Sequence, residues 1–178
     1  TYVIIYGDYN YYFEKRIKFS KNEIVEYETP ILYSSRDNIF LNYDKRKIFL
    51  KEKIKKSLIN LSKNKKVLLI YPSPISPVNI LNHIKINKIN ISKDTTFYLK
   101  DKVNYLKNFF KEYYSEIFEL FNETELENLY KIKLESIFCP KNQCIFYDNK
   151  NSYIFDIVHP SYEGSKMINN LIMKEIEK

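Results

Sequence analysis

Asp156 and His159 stand three positions apart in Asp156-Ile-Val-His159-Pro160-Ser161-Tyr-Glu-Gly164-Ser165, and that spacing suits proton transfer. A carboxylate just before an imidazole on a tight loop can accept the Nδ1 proton, fix the tautomer and leave Nε2 outward as a general base. Pro160 biases His159 toward extended backbone, and Ser161 has the side chain of a helix N-cap. A bare Asp-x-x-His recurs by chance in many proteins, so the setting matters. The chain has two glycines and two histidines in all, and one of each falls inside this stretch. The other histidine, His83, sits in a polar stretch with no carboxylate at useful spacing and reads as a surface residue. Ser73 and Ser76 are nucleophiles by type, but a proline-flanked loop lacks the strand-to-helix elbow that strains and exposes a reactive serine.

The elements that must position these residues follow from hydrophobic patterning. Tyr2 to Tyr6 is a short apolar run bounded by Gly7 and Asp8, a buried strand ending in a loop. Residues 14 to 44 mix charge, Pro30 and paired serines and read as an irregular insertion. From Lys45 to Leu61, with Ile48, Ile54, Leu58 and Leu61 apolar, an amphipathic helix is expected. Val67 to Tyr71 is an uninterrupted apolar run stopped by Pro72, Pro74 and Pro77, which fits a parallel strand covered on both faces. Residues 78 to 100 show weak order. Val103, Leu106, Phe110, Tyr113, Ile117 and Leu120 recur at helical spacing. Asn122 with Glu125 resembles a cap for a further helix through Leu129, and short strands are expected near Ser136 to Phe138 and Cys144 to Tyr147. Met167, Ile168, Leu171, Ile172 and Ile176 mark a last helix after Ser161.

This order predicts a single α/β domain over residues 1–178, with a parallel sheet flanked by helices on both faces. Chemistry in such sheets collects at the carboxyl ends of the strands, where Gly7 to Asn10, Pro72 to Ser76 and Asp156 to His159 should converge.

Composition narrows the class. The 178 residues are 44% hydrophobic, enough for one core, and no apolar run approaches the ~20 residues that cross a bilayer. The formal charge of +7 favours anionic partners, yet the lysines are scattered rather than blocked and no nucleic-acid motif stands out, so nucleic acid is not expected. The chain opens at Thr1 on an apolar strand without a Met, a charged leader or a cleavage site, so we expect it to be cut from a longer polypeptide. Cys139 and Cys144 are the only cysteines. Their spacing can close a small loop if the chain doubles back, with two buried thiols as the alternative. No His or Cys lies at metal spacing beside them, so no zinc site is expected, and an oxidising compartment is favoured.

The last block, Asp156-x-x-His159-Pro160-Ser161 with Gly164 and a closing helix, resembles the final motif of the SGNH (GDSL-like) hydrolases. Adding the Cys139 and Cys144 pair and Phe146-Tyr147-Asp148, the chain is similar to the C-terminal part of the SGNH domain fused to membrane-bound acyltransferases of family three. The resemblance implies a flavodoxin-like three-layer fold and a disulfide between Cys139 and Cys144. It also implies an extracytoplasmic domain attached to an upstream membrane acyltransferase, acting on acyl groups, chiefly O-acetyl, of a cell-surface polysaccharide without metal or organic cofactor. Asp156 and His159 would supply the acid-base part of a Ser-His-Asp site.

The sequence departs from the family at the Gly-Asp-Ser block that carries the nucleophile; Gly7-Asp8-Tyr9-Asn10 is its nearest match. Either Tyr9 replaces the serine and the fold is a catalytically dead glycan-binding or assembly module, or this segment is the family's later Gly-x-Asn block and the serine lies upstream of Thr1. One helix between Tyr6 and Val67 fits the second reading. It makes Asn10 and the backbone at Gly7 oxyanion-hole candidates, with a plain turn asparagine as the alternative. A stand-alone carbohydrate or lipid esterase would use the same residues.

Overall fold

Val67, Leu68, Leu69 and Ile70 are all buried, which makes their strand the centre of a sheet rather than its edge. The computed structural model describes residues 1–7, 16–20, 23–27, 33–34, 39–40, 43–76, 79–86, 110–111, 113–140, 144–148 and 151–178. Three strands form the main sheet in the order β1 (Tyr2–Ile5), β6 (Lys66–Ile70) and β7 (Leu129–Ile132). β1 and β6 run parallel, with Tyr2 opposite Lys66 and Ile5 opposite Leu69. The amide of Val67 donates to Asn128 and that of Tyr71 to Ile132, so β7 advances with β6 and is parallel too. This is the α/β class with a parallel sheet that the alternation of elements predicts.

The chain divides into two compact units, residues 1–69 with 113–131 and residues 70–112 with 132–178. In the first, α1 (Tyr43–Ser62) connects the insertion to β6, and α3 (Ser115–Glu123) buries Ile117, Leu120 and Phe121. Lys47 and Lys51 of α1 reach Glu116 of α3 at 2.8 and 2.5 Å, and Lys51 also reaches Glu119 at 2.8 Å. These contacts hold the Glu116 carboxyl below its ordinary range, chiefly through the hydrogen bond from Lys47 and then that from Lys51. In the second unit, α2 (Ile80–Ile86), a single helical turn α4 (Glu135–Phe138) and α5 (Tyr162–Ile176) accompany the buried side chains of Tyr71, Phe110, Leu134, Phe138, Phe146 and Ile154.

Several expectations are corrected. The insertion is not wholly irregular: β2 (Arg16–Ser20) pairs antiparallel with β3 (Glu23–Tyr27), and β4 (Tyr33–Ser34) with β5 (Ile39–Phe40). Arg-Ile-Lys-Phe alternates charged and apolar residues over only four positions, and Glu-Ile-Val-Glu-Tyr breaks that period at Ile24 and Val25, so the pattern gives little sign of either strand. No helix follows Asn122, which lies inside α3; both the amide and the hydroxyl of Thr124 donate to Leu120 O and close that helix, at 3.1 and 2.7 Å. Leu129-Tyr-Lys-Ile132 then pairs with the central strand, whose demand for a neighbour outweighs local pattern. Ser136 to Phe138 form helical turn instead of strand, with the amide of Phe138 donating to Leu134 O. Part of the stretch read as weakly ordered is α2, which includes His83. The upper part of the aromatic stripe, at Val103 and Leu106, lies outside the described residues.

The α1 stripe is only partly a core stripe: Leu58 is 1% exposed, whereas Ile48 is 61% exposed. Leu58→Ala should therefore cost about 2 to 4 kcal/mol of unfolding free energy, and Ile48→Ala less than about 0.5 kcal/mol. Denaturant titration of both variants separates the two positions.

Candidate active site

The loop that carries Asp156 and His159 is the tip of a short hairpin. Ile154 bridges Pro160 in antiparallel fashion, Ser161 N donates to Tyr153 O, and Phe155 N donates to His159 O at 2.7 Å. This register sets Phe155 opposite His159 and Ile154 opposite Pro160. Side chains alternate along such a ladder, so fully buried Ile154 directs its neighbours outward. Phe155 is accordingly 54% exposed and the His159 side chain 73%.

Two devices fix the hairpin's base. Ser161 caps α5, accepting from Gly164 N at 3.1 Å while its hydroxyl donates to Ser152 O. Asp148 accepts from Asn151 N at 2.8 Å and from the Tyr153 hydroxyl at 2.5 Å. Cys139 and Cys144 are bonded and both buried, and the next residue, Ile145, donates its amide to Phe138 O at 2.7 Å. In the chain-entropy picture so short a loop contributes about 2 kcal/mol.

Within the tip, Asp156 Oδ1 accepts the amides of Val158 and His159, each at 2.9 Å. Its Oδ2 lies 2.8 Å from Nδ1 of His159. Partial burial pushes the Asp156 carboxyl up, but the His159 amide, the His159 ring and the Val158 amide together outweigh it and bring the group to about 2. The carboxylate is therefore ionised at neutral pH and can only accept, which obliges Nδ1 to carry the proton. A neutral His159 then holds its lone pair on Nε2, for which the described residues offer no partner. The pair can take a proton from a hydroxyl brought against Nε2, with Asp156 stabilising the imidazolium that forms.

Other residues singled out by the sequence fall elsewhere. Ser73 and Ser76 are buried, and Ser73 Oγ donates to Val158 O at 3.0 Å, so neither is displayed as a nucleophile. Gly7 follows β1 in the other unit, and none of the described residues lies within 4 Å of where a Cβ would stand. Asn10 and Tyr9 lie outside the described residues. The sequence reading missed the contribution of Ser73, Ser76 and Ile80 as the loop's support. The prolines at 72 and 74, which flank Ser73 and restrict its backbone, were the one visible sign.

A family model for the SGNH domain, described as fused to AT3 domains, matches residues 1–174. The chain belongs to the SGNH family. No curated protein and no solved structure matches it. Among the described residues of this SGNH domain, no helix is long and apolar enough to cross a membrane.

Two outcomes are expected. The Asp156 carboxyl is depressed from 3.8 in the unfolded chain to about 2 in the fold, so its contribution is complete above about pH 4 and disappears as pH falls through 2. Solvent screening of this partly exposed group keeps that contribution below about 2 kcal/mol. Unfolding free energy measured from pH 5 to pH 2 should fall less steeply in Asp156→Asn than in the native chain. A Cβ on Gly164 would collide with the Tyr153 carbonyl, so Gly164→Ala should cost about 2 to 3 kcal/mol. Gly7→Ala, which meets nothing among the described residues, serves as the neutral comparison in the same melts.

Proposed function

We propose that this SGNH domain supplies the acid-base half of a serine acyl-transfer site acting on O-acyl groups, chiefly acetyl, of a cell-surface polysaccharide. The observation that carries the reading is the Asp156–His159 pair, with Nδ1 at 2.8 Å from the carboxylate and the imidazole exposed beyond it. The family description adds an acyltransferase setting, since SGNH domains of this kind are fused to AT3 domains. On this reading the domain is joined to a membrane acyltransferase domain and works outside the cytoplasm, where the Cys139–Cys144 disulfide would persist.

The nucleophile is a serine in a Gly-Asp-Ser segment outside these 178 residues. His159 Nε2 removes its proton as the serine oxygen adds to the acyl carbonyl. The tetrahedral oxyanion requires hydrogen-bond donors, a role for which the sequence offers the Gly7 backbone and Asn10 as candidates. Collapse breaks the bond to the donor's leaving oxygen, which takes the proton from His159. The acyl-serine is then attacked by a glycan hydroxyl, or by water in a hydrolase, whose proton passes to His159 and returns to the serine. Asp156 stays ionised throughout and holds the ring in place.

The 178-residue chain alone should give no turnover of an activated acetyl ester above background, and a protein that includes the Gly-Asp-Ser segment should be active. In that active form His159→Ala should lower kcat by several orders of magnitude, and Asp156→Asn by up to roughly 10⁴. Turnover by the isolated chain that survives His159→Ala would overturn both the assignment of the pair and the external serine.

A further inference from the structure

Two consecutive peptide planes in the Asp156–His159 loop are each held at both edges. In the plane joining Ile157 to Val158, the carbonyl accepts from Ser76 N at 2.7 Å and the amide donates to Asp156 Oδ1 at 2.9 Å. In the plane joining Val158 to His159, the carbonyl accepts from Ser73 Oγ at 3.0 Å and the amide donates to the same Oδ1 at 2.9 Å. The Asp156 carbonyl is anchored as well, by Ile80 N at 3.1 Å. Three successive carbonyls of the loop thus rest on Ser73, Ser76 and Ile80.

Two of these three anchors are backbone amides, and the third is a side chain. The sequence accounts for the exception: in Tyr71-Pro72-Ser73-Pro74-Ile75-Ser76-Pro77, three residues have no N–H to give. A hydroxyl supplies the donor that this stretch otherwise lacks. Ser73 is 7% exposed, so water competes little for the bond.

We propose that Ser73 is a positioning residue of the acyl-transfer site: through the Val158 carbonyl, its hydroxyl fixes the tilt of the peptide plane whose other edge delivers the His159 amide to Asp156. The kinetic consequence rests on the catalytic reading of Asp156 and His159, while the structural consequence does not. A peptide plane rotates about the line between its two Cα atoms, and a bond on one edge restrains the opposite edge. Without the Ser73 hydroxyl, only Asp156 holds the plane, and the aim of the His159 amide degrades. The carboxylate then loses part of what keeps it ionised, and the same carboxylate orients Nδ1 through its other oxygen.

The test compares Ser73→Ala with Ser73→Thr, which keeps the hydroxyl. In the full 178-residue chain, carbon-detected titration should show the Asp156 midpoint of Ser73→Ala moved upward by about half to one pH unit. The His159 Nδ1 proton resonance should shift or broaden with it, and Ser73→Thr should restore both. Asp148 should titrate alike in all three proteins, because its partners Asn151 and Tyr153 lie at the other end of the hairpin. In the catalytically complete protein, Ser73→Ala should lower kcat about tenfold with KM within about twofold, and Ser73→Thr should recover most of the loss. An unmoved Asp156 midpoint in Ser73→Ala, or equal movement of Asp156 and Asp148, would overturn the proposal. So would a moved midpoint with unchanged kcat. Should Ser73→Ala not fold, Ser73→Cys keeps the volume with a weak donor and is expected to move the Asp156 midpoint in the same direction, with a native midpoint again overturning the idea. Full turnover by His159→Ala would instead sink the catalytic reading and leave the titration result standing.

Discussion

Asp156 divides its oxygens between backbone and ring, with Oδ1 on two consecutive amides and Oδ2 on the imidazole. A single negative charge therefore shapes the loop and sets the tautomer of His159. The two effects reinforce each other. Amide donors keep a partly buried carboxyl ionised, and the ionised carboxyl is what makes the turn close on itself. Neutralising the group would release the turn and the ring together, so the backbone conformation and the proton chemistry are not separable properties of this site.

The surroundings are built to keep that turn at a surface without letting it wander. Ile154 anchors one face of the hairpin in the core, and Gly164 lets the first turn of α5 press against the Tyr153 carbonyl where any side chain would intrude. Ser161 links the two by capping α5 while binding Ser152. The rigid parts lie beneath and behind the tip, and the exposed parts, Phe155 and His159, stand on the opposite side of the ladder. The geometry of the exposed imidazole is thereby set by the chain itself before anything binds.

The legible parts of the sequence were those whose signal is local. The Asp156 and His159 spacing, the Ser161 cap and the apolar run at Val67 to Ile70 each state their structure within a few residues, and the last block together with the cysteine pair was enough to identify the family. What escaped reading depended on distant partners. Leu129 to Ile132 is a strand because β6 has a vacant side to fill, and nothing in four residues announces that. Ser136 to Phe138 looked extended by composition but coil into a turn closed by Leu134. Ser73 and Ser76 drew attention as hydroxyl-bearing residues, and their actual bonds run to carbonyls more than eighty positions away, beyond the reach of any local pattern. Ile48 shared the spacing of a core stripe, yet periodicity alone cannot tell how far along a helix its partners extend.

The support given by Ser73, Ser76 and Ile80 also bears on the order in which the molecule is made. Ser73 and Val158 are 85 positions apart, so the loop's support leaves the ribosome long before the loop does. Closing so wide a span costs entropy that the first carbonyl contacts must overcome at once. A growing chain therefore holds Ser73 and Ser76 ahead of a partner still to come, and the Asp156–His159 turn can close only once the hairpin and the first turn of α5 have followed.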